Sequence, residues 1–206
     1  MNELLKRNED WVAKAKADKP ELLKAMAAGQ SPEYLWIGCA DSRVPAEVVT
    51  KSDPGAIFVQ RNVANMVVHT DYNLLSVVNY AVKALGVKHI IICGHYGCGG
   101  VKAAMGNGSL GLLDNWVAHI KDVYDQNSDE LDGISDENAR WNRFVELNVH
   151  AQVQNMAKLS FIQEEWKSGD FPKIHGWVFD IADGSIRDLG MTIDSADALS
   201  SVYRYD

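Results

Sequence analysis

Three side chains with different chemistry stand two residues apart in the segment CADSRVPAE. Cys39, Asp41 and Arg43 follow the apolar run YLWIG at residues 34–38. If the chain remains extended there, all three point to one face, because neighbouring residues of a strand alternate sides. The segment could therefore supply a metal-binding thiol beside an acid and a base. It could equally be a small buried cysteine followed by a helix cap and a surface ion pair.

A second group of metal-binding side chains lies in the glycine-rich segment GHYGCGG at residues 94–100. His95 and Cys98 follow the apolar run VKHIIICG, which is typical of a strand buried on both faces. Because α/β sheets bind ligands where the carboxyl ends of parallel strands meet, we expect Cys39 to lie beside these two residues. Two thiolates and an imidazole suit zinc, and three protein ligands leave a fourth position open for catalysis.

Taken alone, a His-x-x-Cys segment predicts a metal site only weakly. A phosphate-binding loop is another interpretation, but Lys102 stands where the third glycine of G-x-G-x-x-G belongs, and no lysine follows Gly99 as the Walker pattern requires. Cys93 and His89 are the remaining candidates for a fourth ligand, and both fall inside the predicted buried strand. The two segments together favour a catalytic metal site over each of these alternatives.

The elements around both segments alternate between strands and helices, which predicts an α/β fold with a mostly parallel central sheet flanked by helices. The clearest helix has Asp71 as its cap and Gly86 as its stop. Predicted strands cover residues 34–38, 56–60, 87–94 and 173–181. Predicted helices cover residues 2–17, 21–28, 71–85, 99–105, 111–126 and 136–168, and Ser135 is the predicted cap of the last of these. A closing helix is predicted near the C-terminus. The two N-terminal helices fall outside the sheet pattern and predict an arm that clasps a second subunit.

The composition predicts one soluble domain that covers residues 1–206. The formal net charge of −8 argues against nucleic acid as a partner, since phosphate binding needs a basic face. The charged N-terminal segment has no apolar stretch like that of a secretory signal, and no window of the sequence suits a membrane span. Three cysteines without a signal segment predict a reducing, cytoplasmic location, where thiols more often bind metals or act in catalysis.

The segment CADSR, followed by GHYGCGG, resembles the β-class carbonic anhydrases, and in particular their bacterial type. The segments QRNVAN at 60–65 and HGWVFDIADG at 175–184 extend the resemblance over nearly the whole chain. The resemblance implies a zinc lyase that interconverts carbon dioxide and bicarbonate, with one zinc ion per chain on Cys39, His95 and Cys98. It also implies a homodimer or a homotetramer.

The resemblance further implies a substrate pocket that two subunits share, with the N-terminal arm (residues 1–28) at their interface. The matching residues are Gln30, which supplies an amide, and Phe58, Val63 and Tyr80, which form an apolar wall. Gln30 and the backbone N–H groups around Gly99 could orient the substrate oxygens. His69 and Tyr80 are candidates for relaying the proton that each turnover releases, but neither is favoured for that role, and His69 could simply be a surface histidine.

The implied nucleophile is a zinc-bound hydroxide, because zinc brings the pKa of bound water from 15.7 to about 7. Asp41 would accept the hydrogen of this hydroxide and aim its lone pair at carbon. Arg43 would hold the Asp41 carboxylate with paired N–H donors and so keep it off the metal. Lysine cannot reproduce this paired geometry.

Some bacterial-type members have an inactive state, in which bicarbonate fills a second pocket and the aspartate moves onto zinc. The resemblance places that pocket at Trp36, Val44, Arg61 and Phe179. Phe179 stands where those members have tyrosine, so a hydrogen bond worth about 0.5–1.5 kcal/mol is missing. We therefore expect a weaker inhibitory pocket here, although Trp36 and Phe179 could equally be core aromatics.

Three other functions share parts of this pattern. The same site could hydrolyse carbonyl sulfide or carbon disulfide, because access to the pocket rather than the ligands would select the substrate. A non-catalytic zinc protein would need neither Asp41 nor Arg43. A thiol redox protein would be expected to carry a Cys-x-x-Cys motif, which the sequence lacks.

Overall fold

The computed structural model describes residues 2–169 and 171–206, and at its centre is a five-stranded sheet in the order β2-β1-β3-β4-β5. The strands are β1 (Tyr34–Cys39), β2 (Ile57–Asn62), β3 (His89–His95), β4 (Lys173–Phe179) and β5 (Ile186–Ile193). The first four strands run parallel, and β5 pairs antiparallel with β4. The predicted α/β fold with a mostly parallel sheet is therefore confirmed.

Helices flank this sheet throughout the described part of the chain. They are α1 (Asn2–Asp18), α2 (Leu22–Ala28), α3 (Ala46–Val49), α4 (Tyr72–Asn79), α5 (Gly99–Ala104), α6 (Asp114–Gln126), α7 (Ser128–Asp132), α8 (Glu137–Ala157) and α9 (Ser160–Ser168). The predicted cap of α4 is confirmed, since the Asp71 side chain accepts from two backbone N–H groups. A π-helical turn, Tyr80–Ala84, continues α4, and the predicted stop Gly86 follows that turn with a φ of +67°. None of the described helices combines the length and hydropathy that a membrane crossing needs.

The sheet buries two unequal faces. Leu35 and Ile37 of β1 point into the main core, which α4, α5, α6 and α8 cover. Trp36 points the other way, into a smaller apolar cluster that includes Phe179 of β4. Because both faces are covered, the central strand β3 needs apolar residues at consecutive positions, and Ile90–Ile92 supply them.

The N-terminal arm lies mostly in solvent. Helices α1 and α2 contact each other, and their apolar side chains Leu4, Leu5, Trp11 and Met26 are exposed. This placement agrees with an arm outside the sheet. Its contact with a second subunit stays a prediction.

The prediction of one continuous helix over residues 136–168 was wrong, because the structure has two helices there, α8 and α9. Leu159 adopts extended backbone between them and packs its side chain into the main core. The cap of α8 is Asp136, whose carboxylate accepts from the Ala139 N–H at 2.7 Å, and not Ser135. Burial of the Leu159 side chain thus interrupts the helix, although the sequence pattern of residues 136–168 is continuously helical.

The prediction of a closing helix near the C-terminus was also wrong. Two short 3₁₀ turns, Ala196–Ala198 and Ser201–Tyr203, stand there instead. Arg204 follows the second turn and donates to the carbonyl of Leu199, which lies between the two turns, at 2.8 Å. Strand β5 was not predicted; it is an edge strand in which Ile193 alone among its eight residues is fully buried. Helix α3 was not predicted either, because its four residues are too few to show a helical period.

Candidate metal centre and active site

The side chains of Cys39, His95 and Cys98 meet at the carboxyl edge of the sheet. Cys39 ends β1, His95 ends β3, and Cys98 stands directly before α5. One ligand atom from each residue lies within 4.8 Å of the others, and all three residues are buried. The parallel pairing of β1 with β3 brings the three predicted ligands together.

His95 presents one ring nitrogen to this cluster. Its Nδ1 lies 3.0 Å from the Tyr96 carbonyl oxygen, which can only accept, so Nδ1 carries the proton. The Nε2 lone pair is therefore free, and this buried atom has no hydrogen-bond partner among the described residues. Buried polar atoms are normally satisfied, and a metal ion would satisfy this one.

The thiols of Cys39 and Cys98 share this buried space, with their sulfurs 3.9 Å apart. The hydrogen bond from Cys98 lowers the pKa of Cys39, with smaller help from the backbone N–H groups of Ala64 and Asp41, while burial opposes the shift. The same contact raises the pKa of Cys98, and burial adds to that rise. One thiol of the pair is therefore easier to ionise than a free cysteine, and a thiolate suits a divalent cation.

Asp41 and Arg43 form a two-pronged ion pair beside the ligand cluster. Arg43 Nε donates to Asp41 Oδ1 at 2.9 Å, and Arg43 Nη2 donates to Oδ2 at 2.7 Å. These bonds hold the pKa of Asp41 well below its usual range. Because Asp41 Oδ2 lies 3.7 Å from His95 Nε2, the carboxylate borders the cluster while Arg43 holds it.

The turn Val63–Asn65 lies against Cys39 in an uncommon backbone conformation. Ala64 and Asn65 have φ values of +65° and +48°, in the left-handed region that favours glycine. The Ala64 N–H thereby points at Cys39 Sγ, 3.4 Å away. Sequence reasoning missed this donor, because the segment QRNVAN contains no glycine to signal the turn.

The predicted apolar wall consists of two separate contacts in one chain. Phe58 and Tyr80 pack together, with ring centroids 5.9 Å apart. Val63 lies at Gly100, where an added Cβ would meet Val63 Cγ1 at 2.7 Å. Val63 also lines a cavity of about 920 Å³ beside α6.

The remaining predicted substrate and relay residues are more scattered. Gln30 is exposed between α2 and β1, and Gly99 is the first residue of α5, directly after a predicted ligand. His69 Nε2 lies 2.8 Å from the Asn155 carbonyl oxygen, so that ring nitrogen already has a hydrogen-bond partner. The described contacts of one chain do not join Gln30 to the apolar wall.

The residues predicted for a second bicarbonate pocket are mostly on the smaller face of the sheet. Trp36, Val44 and Phe179 are buried together there. Arg61 on β2 donates through Nε and Nη2 to backbone carbonyls of segment 39–41, the Nε bond being 2.9 Å long. Arg61 therefore links this region to the backbone of the metal site.

Comparison with known proteins shows extended similarity in sequence. A family model described as "Carbonic anhydrase" matches residues 34–186. The chain is 47% identical over 190 residues to a carbonic anhydrase of Emericella nidulans, covering 92% of this chain and 83% of that protein. It is 35% identical over 176 residues to a carbonic anhydrase of Pseudomonas aeruginosa, covering 82% and 78% respectively.

Solved structures show the same similarity in fold. A structure described as one of two tetrameric beta-carbonic anhydrases from Sordaria macrospora has a TM-score of 0.89 and 39% identity, covering 93% of this chain and 98% of that one. A Coccomyxa beta-carbonic anhydrase in complex with acetazolamide has a TM-score of 0.90 and 37% identity, covering 95% and 88%. Sequence and fold therefore agree over nearly the whole chain.

Proposed function

The chain belongs to the β-class carbonic anhydrases, which interconvert carbon dioxide and bicarbonate, and we propose that Cys39, His95 and Cys98 hold its catalytic zinc ion. The buried His95 Nε2 carries the proposal, because it lacks a hydrogen-bond partner among the described residues and faces two thiols. Two sulfurs and an imidazole nitrogen form a donor set that zinc prefers. Three protein ligands would leave zinc a further coordination position for water.

When bound, zinc supplies the Lewis acidity that lowers the pKa of a coordinated water to near neutrality. Asp41 then has to orient the attacking water. Its Oδ1 already accepts two hydrogen bonds from Arg43, whereas Oδ2 accepts one and lies 3.7 Å from His95 Nε2. Since a carboxylate oxygen has two lone pairs, Oδ2 can accept one more hydrogen bond, from the attacking water. That bond would turn the oxygen lone pair toward the carbon of carbon dioxide.

Arg43 has the separate task of keeping Asp41 away from the metal. A free carboxylate at this distance would compete for the open position. The paired donors of Arg43 occupy both carboxylate oxygens, and its Nη2 also reaches the Gly97 carbonyl at 3.4 Å. Arg43 is therefore tied to the loop that carries His95 and Cys98, so the clamp and the ligands keep a fixed relation.

Carbon dioxide would enter an apolar pocket that a second subunit completes. Phe58, Val63 and Tyr80 supply apolar surface, while Gln30 and the Gly99 N–H supply polar groups for the bicarbonate oxygens. The exposed apolar side chains of the N-terminal arm support a subunit contact. The Sordaria relatives are described as tetrameric, which supports a homodimer that assembles further into a homotetramer.

A weak inhibitory pocket for bicarbonate would lie at Trp36, Val44, Arg61 and Phe179. The hydrogen bonds of Arg61 to the backbone of segment 39–41 support it, because an anion drawn to Arg61 would perturb the segment that carries Asp41. Phe179 has no hydroxyl to hold either the anion or Trp36. Inhibition by bicarbonate below pH 8 should therefore be weak.

The cytoplasm is the compartment that we propose for this enzyme. Cys39, Cys93 and Cys98 form no disulfide, and cysteines without disulfides persist where glutathione and thioredoxin keep them reduced. Subcellular fractionation checks the proposal, and enzyme found within an organelle contradicts it.

Elemental analysis combined with a stopped-flow hydration assay tests the proposed site. We expect close to one zinc per chain, loss of hydration when a chelator removes the metal, and recovery when zinc is restored. Carbon dioxide hydration by metal-free protein would overturn the zinc proposal. A zinc-loaded enzyme that hydrolyses carbonyl sulfide but does not hydrate carbon dioxide would contradict the proposal that carbon dioxide is the substrate.

A further inference from the structure

Helix α8 packs very closely on β3 and β4, next to the metal cluster. The surroundings of Gly94, which precedes His95, show how little space separates α8 from β3. A Cβ added at Gly94 would meet Val149 Cγ2 at 2.6 Å and Val145 Cγ1 at 3.3 Å. At this distance the polar side chains of α8 can reach the loops that follow the strands.

Asn148 of α8 reaches the turn beside Cys39. Its Nδ2 donates to the Ala64 carbonyl at 3.0 Å, and the Ala64 N–H donates to Cys39 Sγ at 3.4 Å. Asn148 is 1% exposed, so its amide is committed to this contact inside the core. The left-handed backbone of Ala64 needs such support, because most residues disfavour that conformation.

Gln152 of α8 holds the other end of the same turn. Its Nε2 donates to Asn148 Oδ1 at 3.1 Å, and its Oε1 accepts from the Val67 N–H at 2.8 Å. The two buried amides thus form one chain of hydrogen bonds between the helix and segment 64–67. Buried amides are costly unless they are paired, and these two are paired with the backbone that supports Cys39.

Trp141 of α8 supports the second thiol. Its Nε1 donates to the Cys98 carbonyl at 3.1 Å. This bond fixes the backbone of a ligand that stands at the start of α5. Trp141 and Asn148 are seven residues apart, so they share one face of α8.

Glu146 of α8 supports the histidine through its neighbour. The Tyr96 hydroxyl donates to Glu146 Oε1 at 2.6 Å, and the Tyr96 carbonyl faces His95 Nδ1 at 3.0 Å. Arg143 in turn donates to Glu146 Oε2 at 2.8 Å. One helix therefore anchors the backbone next to each of the three ligands.

We propose that α8 sets the relative positions of the three ligands, and that Asn148 and Trp141 are positioning residues for the metal. The inference rests on the proposed zinc site. The ligands come from the ends of two strands and from a loop, so a common anchor is needed to keep their spacing. Hydrogen bonds that orient the ligands of a metal site typically contribute 10–100-fold to affinity.

The test compares zinc affinity in Asn148→Leu and in the parent enzyme. Leucine has the branched shape of asparagine, with bulkier methyl groups, but cannot donate to the Ala64 carbonyl. We expect the zinc Kd, measured by competition with a chromophoric chelator, to rise about 10–100-fold. We also expect altered absorption bands in the Co²⁺-substituted protein, since these bands report coordination geometry.

Gln163→Met is the matched control. Gln163 of α9 is also 1% exposed, and its Nε2 donates to the Ala157 and Tyr203 carbonyls, which lie outside the metal cluster. Methionine removes these bonds at similar size. The control should lose stability while it keeps the parental zinc Kd and cobalt spectrum.

Trp141→Phe gives a second test in case Asn148→Leu does not fold. It removes one donor and keeps a ring, so we expect a smaller rise in zinc Kd, about 10-fold. If every folded variant of the two keeps the parental Kd and cobalt spectrum, the inference is overturned. A parent enzyme that binds no zinc would instead overturn the proposed function itself.

Discussion

The two ends of strand β3 carry histidines in opposite situations. At the carboxyl end, His95 is 0% exposed and its Nε2 has no hydrogen-bond partner among the described residues. At the amino end, the partly buried His89 lies with its Nδ1 3.0 Å from His175 Nε2, and His175 Nδ1 is 3.0 Å from Thr192 Oγ1. Tyr34 also stacks on His89, with ring centroids 5.5 Å apart.

The difference shows that partners, and not residue type or burial alone, distinguish a structural histidine from a functional one. At the amino end, neighbouring strands supply a partner for His89 Nδ1 and for both ring nitrogens of His175. At the carboxyl end, the protein fixes one nitrogen of His95 and leaves the other to face two thiols. An unpaired buried ring nitrogen that faces two thiols is therefore the arrangement expected of a metal ligand.

The largest effect should come from replacing the two histidines of β3 separately. His95→Gln removes the metal-facing ring nitrogen, so we expect hydration activity to fall below about 1% of the parental kcat/KM together with loss of zinc. His89→Gln should keep both, and lose about 1 kcal/mol of stability at most. Stopped-flow hydration and elemental analysis provide the measurements. Full zinc content and activity in His95→Gln would remove the basis of the comparison.

The next largest effect should come from the clamp beside His95. Arg43→Lys keeps the charge but loses the paired donors to Asp41, so we expect kcat/KM to fall about 10–100-fold with zinc still bound. Arg204→Lys is the control, because Arg204 donates to the Leu199 carbonyl near the C-terminus. Parental activity in Arg43→Lys would show that Asp41 needs no paired clamp.

A smaller effect should follow from adding a hydroxyl at the same end of the sheet. Phe179 pairs in register with His95, and Phe179→Tyr restores the group that the predicted bicarbonate pocket lacks. We expect the bicarbonate concentration that half-inhibits the enzyme below pH 8 to fall about 2–10-fold, equivalent to one hydrogen bond. Phe171→Tyr, at an exposed position before β4, should change nothing. Strong cooperative inhibition of the parent would show that the hydroxyl is dispensable.

The smallest effect concerns the amino end, where His175 titrates. Burial lowers the pKa of His175, and the neighbouring His89 lowers it further. Below the unfolded value of about 6.5, the unfolded chain therefore binds more protons, so the free energy of unfolding falls as pH drops. His175→Gln should flatten this fall between pH 7 and 5 by less than about 1 kcal/mol, because the ring is partly screened by solvent.

Denaturant titrations at several pH values measure this dependence. Parent and His175→Gln share the metal site, so the difference between their curves isolates the replaced histidine. Identical curves would mean that the amino-end pair is not sensitive to pH.

Part of this molecule is predictable because its signals are local. The β-branched run of β3, the capped helix α4 and the two ligand segments each carry their pattern within a few residues. Their meeting point follows from one rule, that parallel strands end at a common edge. The positions of Cys39, His95 and Cys98 therefore follow from the sequence with little further information.

The rest depends on contacts between distant segments. No local signal predicts that Ala64 adopts a left-handed conformation, since Asn148, which lies 84 residues away, stabilises it. The division between α8 and α9 depends likewise on where Leu159 can be buried. The edge strand β5 pairs only with β4, and half of its eight residues are exposed. Such features become visible only when the whole core is assembled.

Any side chain at position 94 would fill the space between β3 and α8 that Val149 already occupies. Since a Cβ at Gly94 would lie 2.6 Å from Val149 Cγ2, the size of each residue limits the size of the other. During sequence divergence, a larger residue at position 94 becomes acceptable only after a smaller one stands at position 149. The order of these two substitutions is thus constrained, and the backbone beside the proposed ligand His95 restricts evolutionary change at Val149, which is not itself a proposed ligand.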